Sequence, residues 1–519
     1  MIKKLIINKW FLLFFNASVF ALMAWLLPIH FEQNDDVVMC WIASGKYSGT
    51  PDGHLVFINA LLGWIIAGLY FCYSNIEWYA LVFVIAHIIA ITIIVEFIIY
   101  DRKLSIYLKC FFLLFLYAYW ARIIAAFQFT TTAGLLCCAG CVALFNPSRK
   151  WWMSGVICIL VASMIRFSAA AAVGLLFAPL FSFSSFKNKK FVFRIAIVLV
   201  LVGFVKLCDA SFYMSSDWSA YKEYNAVRSS IQDCPSYYRD YLCMPNGVER
   251  LDYSMFLSFK GDPQVMTADR LQQMSRELAA IYSRNFIAIF RETGTEQLMR
   301  NKEQLAILLL GFLSIVVVSR KRLFAIAELI MLAVMLYYVS TYRLLHDRVV
   351  NCFVLPVMIH FILFDLLSSA KTMSILVSSV FFLMFIVYIE QNVSLVGEWP
   401  EKRDKLTKQT FVLSEQAKDS EEVMVYAYSG PNCIDIPPFQ VSSYPAKFVC
   451  LGWMTNSPLN NGKLKSHYDF VDSDILLFCE KDNLPLDIMG GIERNYKIQC
   501  GLEMVKTDGE YVLFKIVSQ

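Results

Sequence analysis

The chain has 519 residues, of which 58% are apolar, 15% aromatic and only 17% charged, against roughly a quarter charged in an ordinary soluble domain. A single soluble globule is excluded. The net charge of +4 is small and gathered in short loops, so it reports topology rather than a nucleic-acid partner.

At roughly 20 residues per crossing, the apolar runs before residue 391 supply about eleven helices. The first follows Lys3, Lys4 and Lys9 and reads as a retained anchor, because no small-x-small cleavage site follows it cleanly. Crossings are expected at 10–28, 77–100, 104–120, 128–146, 151–166, 168–184, 191–208, 301–318, 323–341, 349–367 and 373–390. The stretch His54 to Tyr73 contains Asn59, Gly63 and Gly68 and reads as a non-crossing, interfacial or re-entrant segment. Only then do the basic loops at 101–103, 148–150, 187–190 and 319–322 all fall on the inner side. The expected fold is therefore an α-helical polytopic membrane domain, 1–390, with a small extracytoplasmic α/β domain, 391–519. The N-terminus is expected in the cytoplasm, and loops 29–76 and 209–300 share the outer face with the tail. The short basic loops and the lack of compartment signals point to a bacterial inner membrane.

In the tail, Glu401 to Glu422 reads as an exposed helix. Strand-like runs follow at 423–428, 447–453, 474–479, 495–500 and 511–517, with turn signals between them. No nucleophile motif, phosphate loop or metal spacing is present, so a stabilising or substrate-positioning lid is expected. In the long loop, an amphipathic helix is expected from Thr267 to Phe290. The aromatic, acidic and guanidinium side chains of the loop, 209–300, in its stretch YKEYNAVRSSIQDCPSYYRDY above all, are the kind that contact sugars, and they equally suit a structured outer loop packed on the membrane domain. Cys137, Cys138 and Cys141 lie in an apolar helix and read as small hydrophobes rather than a metal site. The pair Cys234 and Cys243, and the four tail cysteines Cys433, Cys450, Cys479 and Cys500, fit disulfides by parity.

Chemistry concentrates at the expected outer rim. Asp35 and Asp36 follow the first helix, ahead of a short stretch, Val37 to Ile42, that can rest on the bilayer. A carboxylate there can take the proton of an attacking hydroxyl or hold a divalent cation against a phosphate. Adjacent residues point apart, so one Asp is expected to be catalytic and the other structural. The same rim carries Arg122, Arg166, Arg343, His346, Asp347 and Arg348. Cations on that side run against the positive-inside tendency, and a lipid phosphate accounts for them as a group.

With its acidic first external loop, Asn34 to Met39, a non-crossing segment after it, a large later external loop, a soluble tail and the segment Tyr342 to Pro356, the chain resembles the multispanning GT-C glycosyltransferases. That family takes a sugar from a polyprenyl-phosphate carrier at the outer face. The resemblance covers roughly residues 1–390 by architecture, through short motifs. It implies Asp36, with Asp35 second, as general base or ligand of a divalent cation, Mg or Mn. It further implies Arg166, Arg343 and Arg348, with Arg122, for the carrier phosphate. His54, Tyr221, Arg228 and His346 are expected to line the sugar or acceptor pocket. The reaction implied is an inverting transfer from the polyprenyl-phosphate-linked sugar to a hydroxyl of a glycan, lipid or other acceptor. No WWDYG-like motif is present, which speaks against transfer of a whole oligosaccharide to asparagine. A surface polysaccharide polymerase or ligase would place its key residues around Arg228 and Arg239. A lipid-linked saccharide transporter would need polar residues deep in the crossings.

Overall fold

The computed structural model describes residues 8–32, 34–100, 104–145, 149–180, 189–234, 248–318, 322–365, 371–417, 424–427, 437–440, 450–460, 464–482, 484–508 and 511–519. Helices dominate. α1 (Lys9–Leu26) leads to strand β1 (His30–Phe31) and to α2 (Asn34–Ser44) and α3 (Ala60–Cys72). Then come α4 (Trp78–Tyr100), α5 (Ile106–Ala125), strand β2 (Ala126–Phe127), α6 (Phe129–Phe145), α7 (Arg149–Ile165), α8 (Phe167–Leu176) and α9 (Lys189–Phe212). The long loop holds α10 (Ser216–Gln232), α11 (Arg250–Leu257), α12 (Ala268–Ile289) and α13 (Thr295–Arg300). α14 (Lys302–Val318), α15 (Arg322–Tyr342), α16 (Asp347–Asp365) and α17 (Lys371–Ala417) complete the bundle.

Six of the described helices are long and apolar enough to cross a membrane: α1, α4, α5, α9, α15 and the apolar part of α17. α6, α7 and α14 have 17 residues each, or about 25 Å of rise. α3, with 13 residues, rises only about 20 Å, short of the roughly 30 Å hydrocarbon core. Where a crossing at 168–184 is expected, α8 has 10 residues and is followed by a short 3-10 turn at Ala178–Leu180; 181–188 lie outside the described residues. α6 and α7 approach closely at a glycine pair: a Cβ on Gly155 would sit 2.8 Å from the Gly140 carbonyl oxygen. Polar bonds also tie the bundle, as Asn16 of α1 donates to Thr92 of α4 at 3.0 Å and accepts from Tyr117 of α5 at 2.8 Å.

The C-terminal sheet has β3 (Met424–Ala427), β4 (Ile475–Glu480), β5 (Cys500–Asp508) and β6 (Tyr511–Ser518), in the order β3-β4-β6-β5, with α18 (Leu486–Tyr496) between β4 and β5. β3 and β4 are parallel, and β6 is antiparallel to both its neighbours. Alternate residues feed two cores. Leu477, Cys479, Val512, Phe514 and Ile516 pack with Ile488 and Ile492 of α18, while Leu476, Phe478, Tyr511 and Leu513 join the main core with Leu406 of α17. Burial on both faces explains the unbroken apolar runs of β4 and β6.

Three expectations need correction. The stretch from 401 is no separate helix, because α17 runs unbroken for 47 residues through Pro400, so the boundary at 390 falls inside one rod of about 70 Å. The described part of the run 447–453 ends in a 3-10 turn, Gly452–Met454, and the run 495–500 spans the end of α18 and a turn, with β5 starting only at Cys500. Cys479 and Cys500 are separate thiols, while Cys243 and Cys433 lie outside the described residues. The helix expected from Thr267 is present as α12, with the Thr267 hydroxyl accepting from the Arg270 N–H at 3.4 Å as an N-cap.

Candidate functional site

β1 pairs in parallel with β2, His30 opposite Ala126 and Phe31 opposite Phe127. This short ladder pins the first loop to the end of α5 and sets α2 beside the N-terminus of α6. α2 does not rest on a surface. Val37 to Ala43 are all buried by protein.

The two aspartates part company at this point. Asp36 is fully buried; its Oδ1 accepts from the Tyr79 hydroxyl at 2.9 Å and from the Phe129 N–H at 3.2 Å. It thereby caps the start of α6 together with Gln128, whose Oε1 accepts from the Thr130 and Thr131 N–H groups. Burial drives its pKa well above the usual carboxylate range, against the Tyr79 hydrogen bond. Asp35 is partly exposed. Its pKa is also raised, by desolvation first, while the guanidiniums of Arg348, Arg166 and Arg228 pull it down and Asp233 pushes it up. Asp35 thus feels the charge of the rim cations, while Asp36 is bonded within the core.

Arg166 is the sole break between α7 and α8, in extended conformation at φ −154° and ψ 99°. Its guanidinium lies over the Phe57 ring at 5.3 Å and over the Phe129 ring at 5.2 Å. Among the described residues no carboxylate comes within ion-pair distance of it; the charges that act on it include Asp35, Arg348, Asp233 and Arg343. Each π face contributes about 0.5–2 kcal/mol and leaves the N–H donors open.

The neighbouring arginines are only loosely paired. Arg122 stands 3.8 Å from Asp347, Arg348 stands 3.8 Å from Glu32, and Arg343 stands 3.6 Å from Asp233. Arg343 also donates to the Ser229 carbonyl at 3.0 Å. Among the described residues the buried Nε of Arg122 and Nη1 of Arg348 have no hydrogen-bond acceptor. Orphaned guanidinium donors are costly unless a ligand or water takes them. Arg348 and Arg166 both act on Asp35, while Arg122 acts on the adjoining Glu32 and His30.

The remaining expected residues have other duties. His54 holds Asp52 at 2.7 Å and the Phe212 carbonyl at 3.2 Å, stacked on Trp218 at 4.3 Å. Tyr221 is buried and donates to the Trp453 carbonyl at 2.6 Å. Arg228 is buried and donates to Asn225 at 2.9 Å and to Gln232, so it shapes α10 while its charge reaches Asp35. His346 precedes α16, and burial with the nearby Arg348 and Arg300 lowers its pKa to about 4. It is therefore neutral at physiological pH. Arg239 lies outside the described residues.

At Asp36, where a divalent cation is expected, the Oδ2 atom is buried and has no hydrogen-bond partner among the described residues. Among the described residues no three His, Cys, Asp or Glu side chains converge, and the Oδ1 of Asp36 is spent on two hydrogen-bond donors. A hard cation takes six or more oxygens.

Sequence reading missed three groups. Phe57 and Trp453 meet at 4.8 Å beside Arg166, a contact between residues nearly four hundred positions apart. Glu328 of α15 and His360 of α16 form a fully buried pair at 2.7 Å; each is a lone polar residue in an apolar run. His467, also fully buried, joins the tail to the long loop: its N–H donates to Asp262 at 3.2 Å, and Tyr496 donates to the same carboxylate at 2.8 Å.

No family model matches the sequence, and no curated protein matches it. In its path through space the chain is similar to a crystal structure of ArnT from Cupriavidus metallidurans bound to undecaprenyl phosphate, with a TM-score of 0.44 and 12% identity over 97% of both chains. It is also similar to the same protein in the apo state, with a TM-score of 0.43 and 10% identity over 96% of this chain and 95% of that one. These values transfer no residue roles, and the site stands on its own geometry.

Proposed function

We propose that the chain is a membrane glycosyltransferase that moves a sugar from a polyprenyl-phosphate carrier to a hydroxyl acceptor at the outer face of a bacterial inner membrane. The observation that carries this reading is Arg166: a half-buried guanidinium lying over two neighbouring, near-parallel aromatic rings, with the charge of Asp35 acting on it and no carboxylate within ion-pair distance among the described residues. A cation built in this way awaits an anion. The crystal structure of ArnT with undecaprenyl phosphate bound is in keeping with a lipid phosphate as that anion.

Asp35, rather than Asp36, is the base in this reading. It would accept the proton of the acceptor hydroxyl as that oxygen attacks the anomeric carbon. Its raised pKa brings it toward the range in which a base works at neutral pH. Arg166, Arg348 and Arg122 would hold the phosphate and stabilise the charge it gains as the glycosidic bond breaks. Asp36 would fix the geometry by capping α6.

Binding of a long-chain polyprenyl monophosphate to the protein in nanodiscs tests this. Arg166→Gln is expected to weaken binding roughly 10- to 100-fold, the loss of one charge-assisted contact set. Unchanged affinity would overturn the reading. The transporter alternative has one observation in its favour, the buried Glu328–His360 pair within the bundle, and would show as movement of lipid-linked saccharide without glycosidic transfer.

A further inference from the structure

Phe57 reaches Arg166 by a strained route. Val56, a β-branched residue, sits at φ +64°, in a three-residue turn closed by the Phe57 N–H donating to the Leu55 carbonyl at 2.7 Å. Such backbone is costly and persists only where the surroundings hold it. From below, Tyr213 accepts the Val56 N–H at 3.1 Å. From the other side, the indole of Trp453 lies on the Phe57 ring at 4.8 Å and 55°.

Trp453 belongs to the C-terminal domain, in a segment fastened to the first loop and to α10. Tyr47 donates to the Asn460 side-chain oxygen at 2.6 Å and accepts from the Cys450 N–H at 3.0 Å. The Asn460 amide donates to the Cys450 and Met454 carbonyls at 2.8 and 3.0 Å, folding the segment onto itself. Tyr221 holds the Trp453 carbonyl. Gly452, at φ +78°, has the room that places the turn against Phe259. Every one of these bonds fixes the height of Trp453 above Phe57.

We propose that Trp453 is a positioning residue of the anion site, acting through Phe57 to hold the Arg166 guanidinium, so that the C-terminal domain completes the site. This rests on the reading of Arg166 as the anion-binding group. The soluble domain is then more than a lid: the contacts Trp453 to Phe57 and Phe57 to Arg166 run from it into the bundle, and one of the two neighbouring rings under the cation depends on it.

The test measures the affinity of the full-length protein in nanodiscs for a long-chain polyprenyl monophosphate, with thermal midpoints alongside. Trp453→Ala and Phe57→Leu are expected to bind roughly 5- to 10-fold more weakly, the size of losing one π face, and Trp453→Phe to bind like the native protein. The double variant Arg166→Gln/Trp453→Ala is expected to bind no more weakly than Arg166→Gln alone, because Trp453 acts through Arg166. Native affinity for Trp453→Ala, or losses that add in the double variant, would overturn the proposal while leaving the anion site standing. Native affinity for Arg166→Gln would overturn both. Should Trp453→Ala fail to fold, Tyr221→Phe removes only the bond to the Trp453 carbonyl, and weaker binding with an unchanged thermal midpoint would support the proposal, as native binding would oppose it.

Discussion

The Tyr79 hydroxyl donates to Asp36 at 2.9 Å, while Asp35, one position earlier, is left to the charges of Arg348, Arg166 and Arg228. This division predicts opposite phenotypes for neighbouring substitutions. Asp36→Ala strips the cap from α6 and leaves Tyr79 and the Phe129 N–H without their acceptor, at a cost of about 1–3 kcal/mol. Asp35→Asn is expected to leave the thermal midpoint in detergent close to native and to abolish transfer. Equal loss of stability in the two variants would contradict the division.

The pH profile of transfer follows from the same geometry. Asp35 must be ionised to act as a base, and its pKa lies above the ordinary carboxylate value, so activity rises with pH along a limb displaced upward from that value. Arg348 is the largest charge favouring the ionised form. Arg348→Gln is therefore expected to move the limb to higher pH. A limb that stays in place would show that Asp35 is not the titrating group.

Acid should loosen the union of the long loop with the C-terminal domain. His467 is buried against Asp262, near Asp487 and Asp252, and desolvation lowers its pKa, while Lys260 and Arg494 pair with Asp487 and Asp252. A histidine whose folded pKa is depressed binds its proton more readily unfolded, so its contribution is complete above the unfolded value of about 6.5 and is lost as pH falls below it toward the folded value. The protection factors of the amides in residues 464–470, after division by the intrinsic exchange rate at each pH, are expected to fall between pH 7.5 and 5, and His467→Leu to reduce that dependence. An identical pH response in the variant would refute the assignment.

The Glu328–His360 pair predicts a rescue. Removing either partner alone leaves a buried ionisable group without its mate, costing about 3–5 kcal/mol, whereas an apolar pair of similar volume is near neutral. Glu328→Leu or His360→Leu should lower the thermal midpoint in detergent, and the double variant should recover most of the loss. Additive losses would argue against a direct pair.

Much of the bundle was legible because an apolar run in a membrane protein admits few structures: most helix ends fell within a few residues, the C-terminal ends of α8 and α17 apart, and Thr267 announced α12 through its cap. The arginines that the structure gathers near Asp35 and Glu32 were visible in the sequence as a population of cations. The internal arrangement of the site was not, since nothing local distinguishes Asp35 from Asp36; the choice is made by Tyr79 and by the N-terminus of α6. Phe57 and Trp453 read as ordinary aromatics until the chain closes them on Arg166. In the tail, Gly490 and Gly491 hid α18, the polar composition of Gly501 to Asp508 hid a strand at the sheet edge, and helix propensity carried α17 past the point where hydropathy ends.

The most direct measurement is mass spectrometry of surface glycans and lipid-linked saccharides from cells making the native protein, Asp35→Asn or Arg166→Gln, at equal membrane abundance. The expected result is the loss of one sugar from the glycan with accumulation of its polyprenyl-linked donor in both variants. A native profile in both, where deletion of the protein does change the profile, would contradict the account.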